Sequence, residues 1–133
     1  MAATILVFNL PADKLQKLRF TCMRLGVQVT PVPPGDWGQT MAALSGMAPR
    51  TEVAAPEETF SGDMLVMVNF TQQLANRFLS ALKQGRLNIR LKAVMTPTNA
   101  QWNPVQLYRE LSAEHEAIAN HMKHAHEDDP AQA

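Results

Sequence analysis

The chain has 133 residues, 46% of them hydrophobic and 18% charged, enough to close one domain of residues 1–133 and too apolar for a disordered polymer. Its 12 basic and 12 acidic side chains cancel, so the basic excess that polyphosphate binders use to release counterions is missing, and nucleic acid is disfavoured as a partner. No run approaches the roughly 20 apolar residues of a membrane span. The lone Cys22 builds no disulfide framework, which together with an N-terminus lacking a leader pattern points to the cytoplasm.

Residues 4–9, TILVFN, form a short apolar run stopped by Asn9-Leu10-Pro11, the signature of a strand. Leu15, Leu18, Cys22 and Leu25 then recur at helical spacing, and Gly26 stands where a helix C-cap belongs. Cys22 falls on that apolar stripe, which makes it a buried small hydrophobe rather than a nucleophile. Residues 27–32, VQVTPV, alternate as a half-buried strand does, and Pro31 assigns that strand to a sheet edge. Asp36 as N-cap, Gln39 as its capping-box partner and Gly46 as terminator predict a short second helix.

Residues 47–63 are rich in Ala, Pro, Glu and Thr without periodicity and read as a flexible linker between a first half, 1–46, and a second, 64–124. The pattern then restarts. Residues 64–69, MLVMVN, are a second apolar run ending in Asn and a large apolar residue. A helix follows with Leu74, Phe78 and Leu82 on one face and Gly85 at its end. In residues 87–95, Ile89, Leu91, Ala93 and Met95 alternate with their neighbours as in another half-buried strand. Asn103 as N-cap and Pro104 at the first helical position open a last helix toward His124, with Leu107, Tyr108, Leu111, Ile118 and Met122 on its buried side. Residues 125–133 read as a frayed tail.

The halves match element for element, with Gly26 over Gly85 and the Pro-to-Trp loop ending at Trp37 over that ending at Trp102. Duplication is the simplest account. The first and third strands, apolar on both faces, belong at the sheet centre, and the second and fourth carry edge devices in Pro31, Arg90 and Lys92. The expected fold is therefore α+β, a ferredoxin-like sandwich of two β-α-β(-α) halves with a four-stranded sheet and a long C-terminal helix, with an open parallel or mixed α/β sheet as the alternative. That plan leaves one apolar sheet face to be covered by the short helix, the long helix or a second subunit.

No nucleophile elbow surrounds Ser45, Ser61, Ser80 or Ser112, no glycine loop cradles a phosphate, and no Cys/His spacing fits structural zinc, so no catalytic residue and no cofactor is assigned. His121, His124 and Asp128 share a helical face at metal-like spacing; imidazoles complementing a helix C-terminus explain the same pattern. Thr96, Thr98, Asn99 and Trp102 place hydroxyls, an amide and an indole where a strand passes into a helix, an arrangement suited to a small anion, although turn formation and core plugging account for it as well. The first strand, ILVFNLP, resembles that of RNA-recognition motifs, but no stacking-aromatic pattern follows in the third.

Lys92, Ala93, Thr96, Thr98, Asn99, Trp102, Leu107, Glu110, Leu111, Glu114 and His115 together resemble a segment of an uncharacterised bacterial domain family of unknown function. That resemblance implies a fold and a soluble domain, and no activity. The function expected from the whole is that of a non-enzymatic binding or regulatory module acting on a protein partner or a second copy. A metabolite or small-anion binder, with weak enzyme activity as an extension, is the alternative.

Overall fold

In the computed structural model, which describes residues 2–128 and the side chains of residues 2–119, the apolar run TILVF becomes strand β1, Thr4–Phe8. Helix α1 spans Ala12–Leu25, β2 Gln28–Pro31, and α2 Met41–Leu44. The second half gives β3 at Met64–Val68, α3 at Gln72–Gln84, β4 at Leu91–Val94 and α4 at Pro104–Asp128. Three-residue 3-10 turns at Pro34–Asp36 and Asn99–Gln101 precede the final helix of each half.

The strands form one mixed sheet in the order β2-β1-β3-β4. The greasiest strands are central, as their two-sided apolar sequence requires. β1 and β3 run antiparallel, with Leu6 opposite Val66, while β2 lies parallel to β1 and β4 parallel to β3. Each β-α-β unit therefore keeps its two strands adjacent, whereas a ferredoxin-like, split β-α-β connection would interleave them. Both central strands end on an asparagine in the left-handed region, Asn9 at φ 59° and Asn69 at φ 61°. Asparagine tolerates that conformation, so the same residue turns both strands into their helices.

Alternation along β1 and β3 divides the core in two. Ile5, Val7, Leu65 and Met67 meet Leu18 and Cys22 of α1 and Phe78 and Leu82 of α3. Leu6, Phe8, Met64, Val66 and Val68 face the other way, onto Trp37, Met41, Leu44, Val105 and Leu107, with Phe60, Tyr108 and Leu111 packed around them. The second sheet face is thus covered by α2, by the start of α4 and by the connector, all from the same chain.

Four local expectations need correction. Asp36 and Gln39 make no capping box: Asp36 ends the 3-10 turn and Thr40 caps α2, its hydroxyl accepting from the Ala43 amide. Gln39 is buried, and its side-chain amide both donates to the Thr51 carbonyl and accepts from the Thr51 amide, 2.5 and 3.0 Å. The fourth strand begins at Leu91 rather than residue 87, because Ile89 packs with the α1/α3 cluster and Leu91 with the opposite one, which breaks the alternation at Arg90. Gly85 ends α3 as expected, at φ −81°, but it is not the match of Gly26: the left-handed turn that Gly26 makes at φ 73° falls on Arg86 at φ 54°. Ile118, expected inside, is 61% exposed and lines a shallow cleft beside Leu91 and Lys92 at the β4 edge.

The connector, residues 47–63, contains no helix or strand, as a linker would not. It is nonetheless tied down along its length. Besides the Gln39–Thr51 pair, Asn9 donates to the carbonyls of Phe60 and Gly62 at 2.8 and 3.2 Å, Arg50 pairs with Asp36, and Arg109 with Glu58. Gly38 lies so close to the Ala54 carbonyl that a Cβ has no room there.

Candidate functional site

The turn between β4 and α4 holds the four residues singled out by sequence. Asn99 is buried, and both ends of its side chain are bonded: Oδ1 accepts from the Thr96 amide at 2.8 Å and Nδ2 donates to the Val94 carbonyl at 3.1 Å. The Thr96 hydroxyl accepts from the Asn99 amide at 3.1 Å. These are the bonds of a closed turn, and with Asn99 buried they tie both ends of its side chain to the turn backbone. Thr98 is exposed, and Trp102 is half-buried against the second-face core, with its carbonyl accepting from the Met41 amide at 2.8 Å. Asn103 caps α4 as expected, accepting from the Gln106 amide at 2.8 Å. The structure therefore joins Thr96 to Asn99 in one motif and uses Trp102 to dock α2.

A larger feature lies one turn further along α4. A cleft of about 630 Å³ opens between the connector and α4, lined by Glu58, Phe60, Ser61, Tyr108, Arg109 and Ser112. Its base is an aromatic stack: Phe60 sits between Trp37 and Tyr108, with ring centroids 4.1 and 4.2 Å away and planes inclined by 7° and 14°. Arg90 donates to the Tyr108 hydroxyl at 2.5 Å, and the Arg109–Glu58 ion pair stands at the mouth. Ser112 Oγ and Trp37 Nε1 are buried and have no partner among the described residues. Tyr108 approaches Gly62 where a Cβ would collide with its hydroxyl, so the connector backbone fits against this ring only as glycine. Sequence reasoning missed the stack. The signal available was Phe60, the single aromatic residue in the connector.

Glu110, Glu114 and His115 are exposed on α4, and Arg109 reaches across to pair with Glu58. Glu114 and His115 share a smaller cleft of about 320 Å³ with Arg90 and Lys92 at the β4 edge. Among the described residues no serine, threonine or cysteine bonds to a histidine or carboxylate, and no group of three acidic, His or Cys side chains is placed to hold a metal. The side chains of His121, His124 and Asp128 lie outside the described residues. Burial pushes the Cys22 thiol up to about 12 from its ordinary 9.0, so it stays protonated and unreactive.

Against this geometry, the family comparison is informative for one half. Residues 63–118 match a Domain of unknown function (DUF3783). The DUF3783 segment starts at the residue before β3 and ends on the exposed part of α4, so it contains both the turn at Asn99 and the α4 wall of the large cleft. The stretch 92–115, on which the resemblance in sequence rests, lies inside it. No curated protein and no solved structure matches the chain. No helix among the described residues is long and apolar enough to cross a membrane.

Proposed function

We propose that the protein is a non-enzymatic binding module whose working surface is the free length of α4 and the connector cleft beside it. One observation carries this reading. All of residues 113–119 are exposed, Ile118 included, on a helix whose 25 residues extend about 37 Å at 1.5 Å per residue. A five-residue strand covers only about 17 Å. A helix that outruns its own sheet has a face for another chain, either a protein partner or a second copy, and helix-in-groove recognition uses such faces. The engaged state of Asn99 weighs against the metabolite-site reading at Thr96, Thr98, Asn99 and Trp102.

The common offset of 60 residues between Thr4–Phe8 and Met64–Val68, and between Asn9 and Asn69, supports descent of the halves from one duplicated unit. Cysteine usage supports a cytoplasmic setting. Light scattering on size-exclusion fractions of the full chain, with pull-down by the immobilised chain, tests the main reading. The expected result is concentration-dependent assembly or a captured partner, lost in Ile118→Glu. A chain monomeric at every concentration, with nothing retained that Ile118→Glu releases, defeats it.

A further inference from the structure

The balanced charge of the chain is unevenly placed. Seven of its 12 basic residues belong to the layer on the first sheet face: Lys14, Lys17, Arg19 and Arg24 in α1, Arg77 and Lys83 in α3, and Arg86 in the turn behind it. Asp13 is the one carboxylate in these segments, and the other eleven acids fall within residues 36–63 and 110–129. The segments covering the opposite sheet face, the connector and α4, account for most of those eleven, so the sheet separates a basic side from an acidic one. Among the described residues, Lys14 pairs with Asp63, while Lys17, Arg19, Arg24, Arg77, Lys83 and Arg86 are exposed and make no ion pair. Cations without protein partners are neutralised by solution ions, which a bound polyanion releases.

The helices also shape this face. Arg24 and Arg77, one from each, line a cleft of about 410 Å³ together with Thr21 and Gln84 and no carboxylate. Guanidinium, hydroxyl and amide groups are the donors that hold phosphate oxygens. Thr21 also lines the adjoining cleft of about 460 Å³, where its neighbours include Asp13, Lys17 and Phe20. Phe20 is 64% exposed, a large ring left in water beside a donor-lined cleft.

We propose that the α1/α3 face binds single-stranded nucleic acid, with Arg24 and Arg77 on backbone phosphates and Phe20 stacking on an unpaired base. Cationic clefts flanked by an aromatic ring are the means by which single strands are held without sequence preference. Arginine and aromatic residues are common to protein and nucleic-acid interfaces, but lysine is depleted at protein interfaces, and Lys14, Lys17 and Lys83 on this face favour the polyanion. The acidic opposite side repels the same ligand and so orients the molecule during encounter. Overall neutrality, which counts against polyanion binding in the sequence, does not apply to a surface whose seven cations face a single carboxylate, Asp13.

Fluorescence anisotropy with labelled oligo(dT) and oligo(U) of about 20 nucleotides tests this on the full chain. Binding is expected at about 50 mM salt and is expected to weaken steeply toward about 200 mM. The double variant Arg24→Gln/Arg77→Gln should lose about tenfold or more in affinity and flatten the salt slope by about 1.4, two phosphate contacts of a single strand. Phe20→Ala should weaken binding by about fivefold to 100-fold with the slope unchanged. Arg50→Gln, in the connector on the other side of the sheet, should match the parent chain. Tighter binding of oligo(U) than of oligo(dT), or the reverse, supports the proposal and identifies the preferred sugar. Four outcomes overturn it: no binding at the lower salt, binding indifferent to both variants, heparin or anionic vesicles bound as well as the oligonucleotides with Phe20→Ala silent, or capture of an acidic protein with no oligonucleotide binding. Thermal melting of each variant at the parent temperature confirms that these exposed substitutions leave the fold intact.

Discussion

The two faces of the sheet are closed by different means, and the difference separates regular packing from long-range assembly. On the first face, α1 and α3 lie side by side and bury Leu18, Cys22, Phe78 and Leu82 from amphipathic stripes. On the second, a four-residue helix, the first turns of α4 and a strand-free connector share the task, joined by the Trp37–Phe60–Tyr108 stack. If both closures are equally tight, truncations on either side should cost the same. Phe78→Ala and Trp37→Ala are each expected to destabilise by about 3–5 kcal/mol in denaturant titrations. Phe60→Ala, half-buried but the centre of the stack, should cost about 2–3 kcal/mol. A Phe60 loss below that of an ordinary surface change would mean that the connector is not part of the second cover.

Smaller effects sharpen the same contrast. Asn99→Ala strips a buried turn of its side-chain bonds and should cost about 1–3 kcal/mol, while the neighbouring Thr98→Ala should be nearly silent. Such a pair of results would place Asn99 in the architecture of the second face. On the first face, Cys22 reports burial through pH. The unfolded chain releases the thiol proton near its ordinary 9.0, and the folded chain holds it to about 12. Between those values the folded state binds more protons, so stability is expected to fall as pH rises, by at most about 1.4 kcal/mol per pH unit. Urea midpoints at pH 8 and 10, compared with those of Cys22→Ala, measure that contribution. The smallest pair concerns the equivalent turns behind α1 and α3. Gly26→Ala introduces a Cβ into open space at positive φ and should cost about 1 kcal/mol. Arg86→Gly relieves the same conformation and should gain about 0.5–1 kcal/mol.

Legibility in the sequence follows the same division. Central strands, their edge partners and the buried stripes of α1 and α3 are repeating patterns, and local pattern predicts them well. The left-handed asparagines were visible as strand ends, though not as conformations. Second-face contacts join residues far apart in sequence, Phe60 with Trp37 and Tyr108, Gln39 with Thr51, Asn9 with the Gly62 carbonyl. No window of neighbouring residues contains such information. The capping-box reading of Asp36 and Gln39 failed for that reason: a long-range amide pair outbid a local cap. The three residues Asn88, Ile89 and Arg90, inserted between Leu87 and β4 relative to the first half, moved Ile89 to the opposite face from Leu91. Of the candidate site, the Thr96–Asn99 motif was identified and its internal bonding was not. The connector cleft escapes local pattern because one of its walls, residues 47–63, has no periodicity and reads as a linker.

Five residue pairs, Thr4 with Val68 through Phe8 with Met64, fasten one half of the molecule to the other along its midline. During synthesis, β1 and its helix emerge with that flank unmated, and no hydrogen bond can zip it until some 60 further residues have been added. An N-terminal fragment halted before β3 therefore carries a bare, largely apolar border that invites pairing with its own kind.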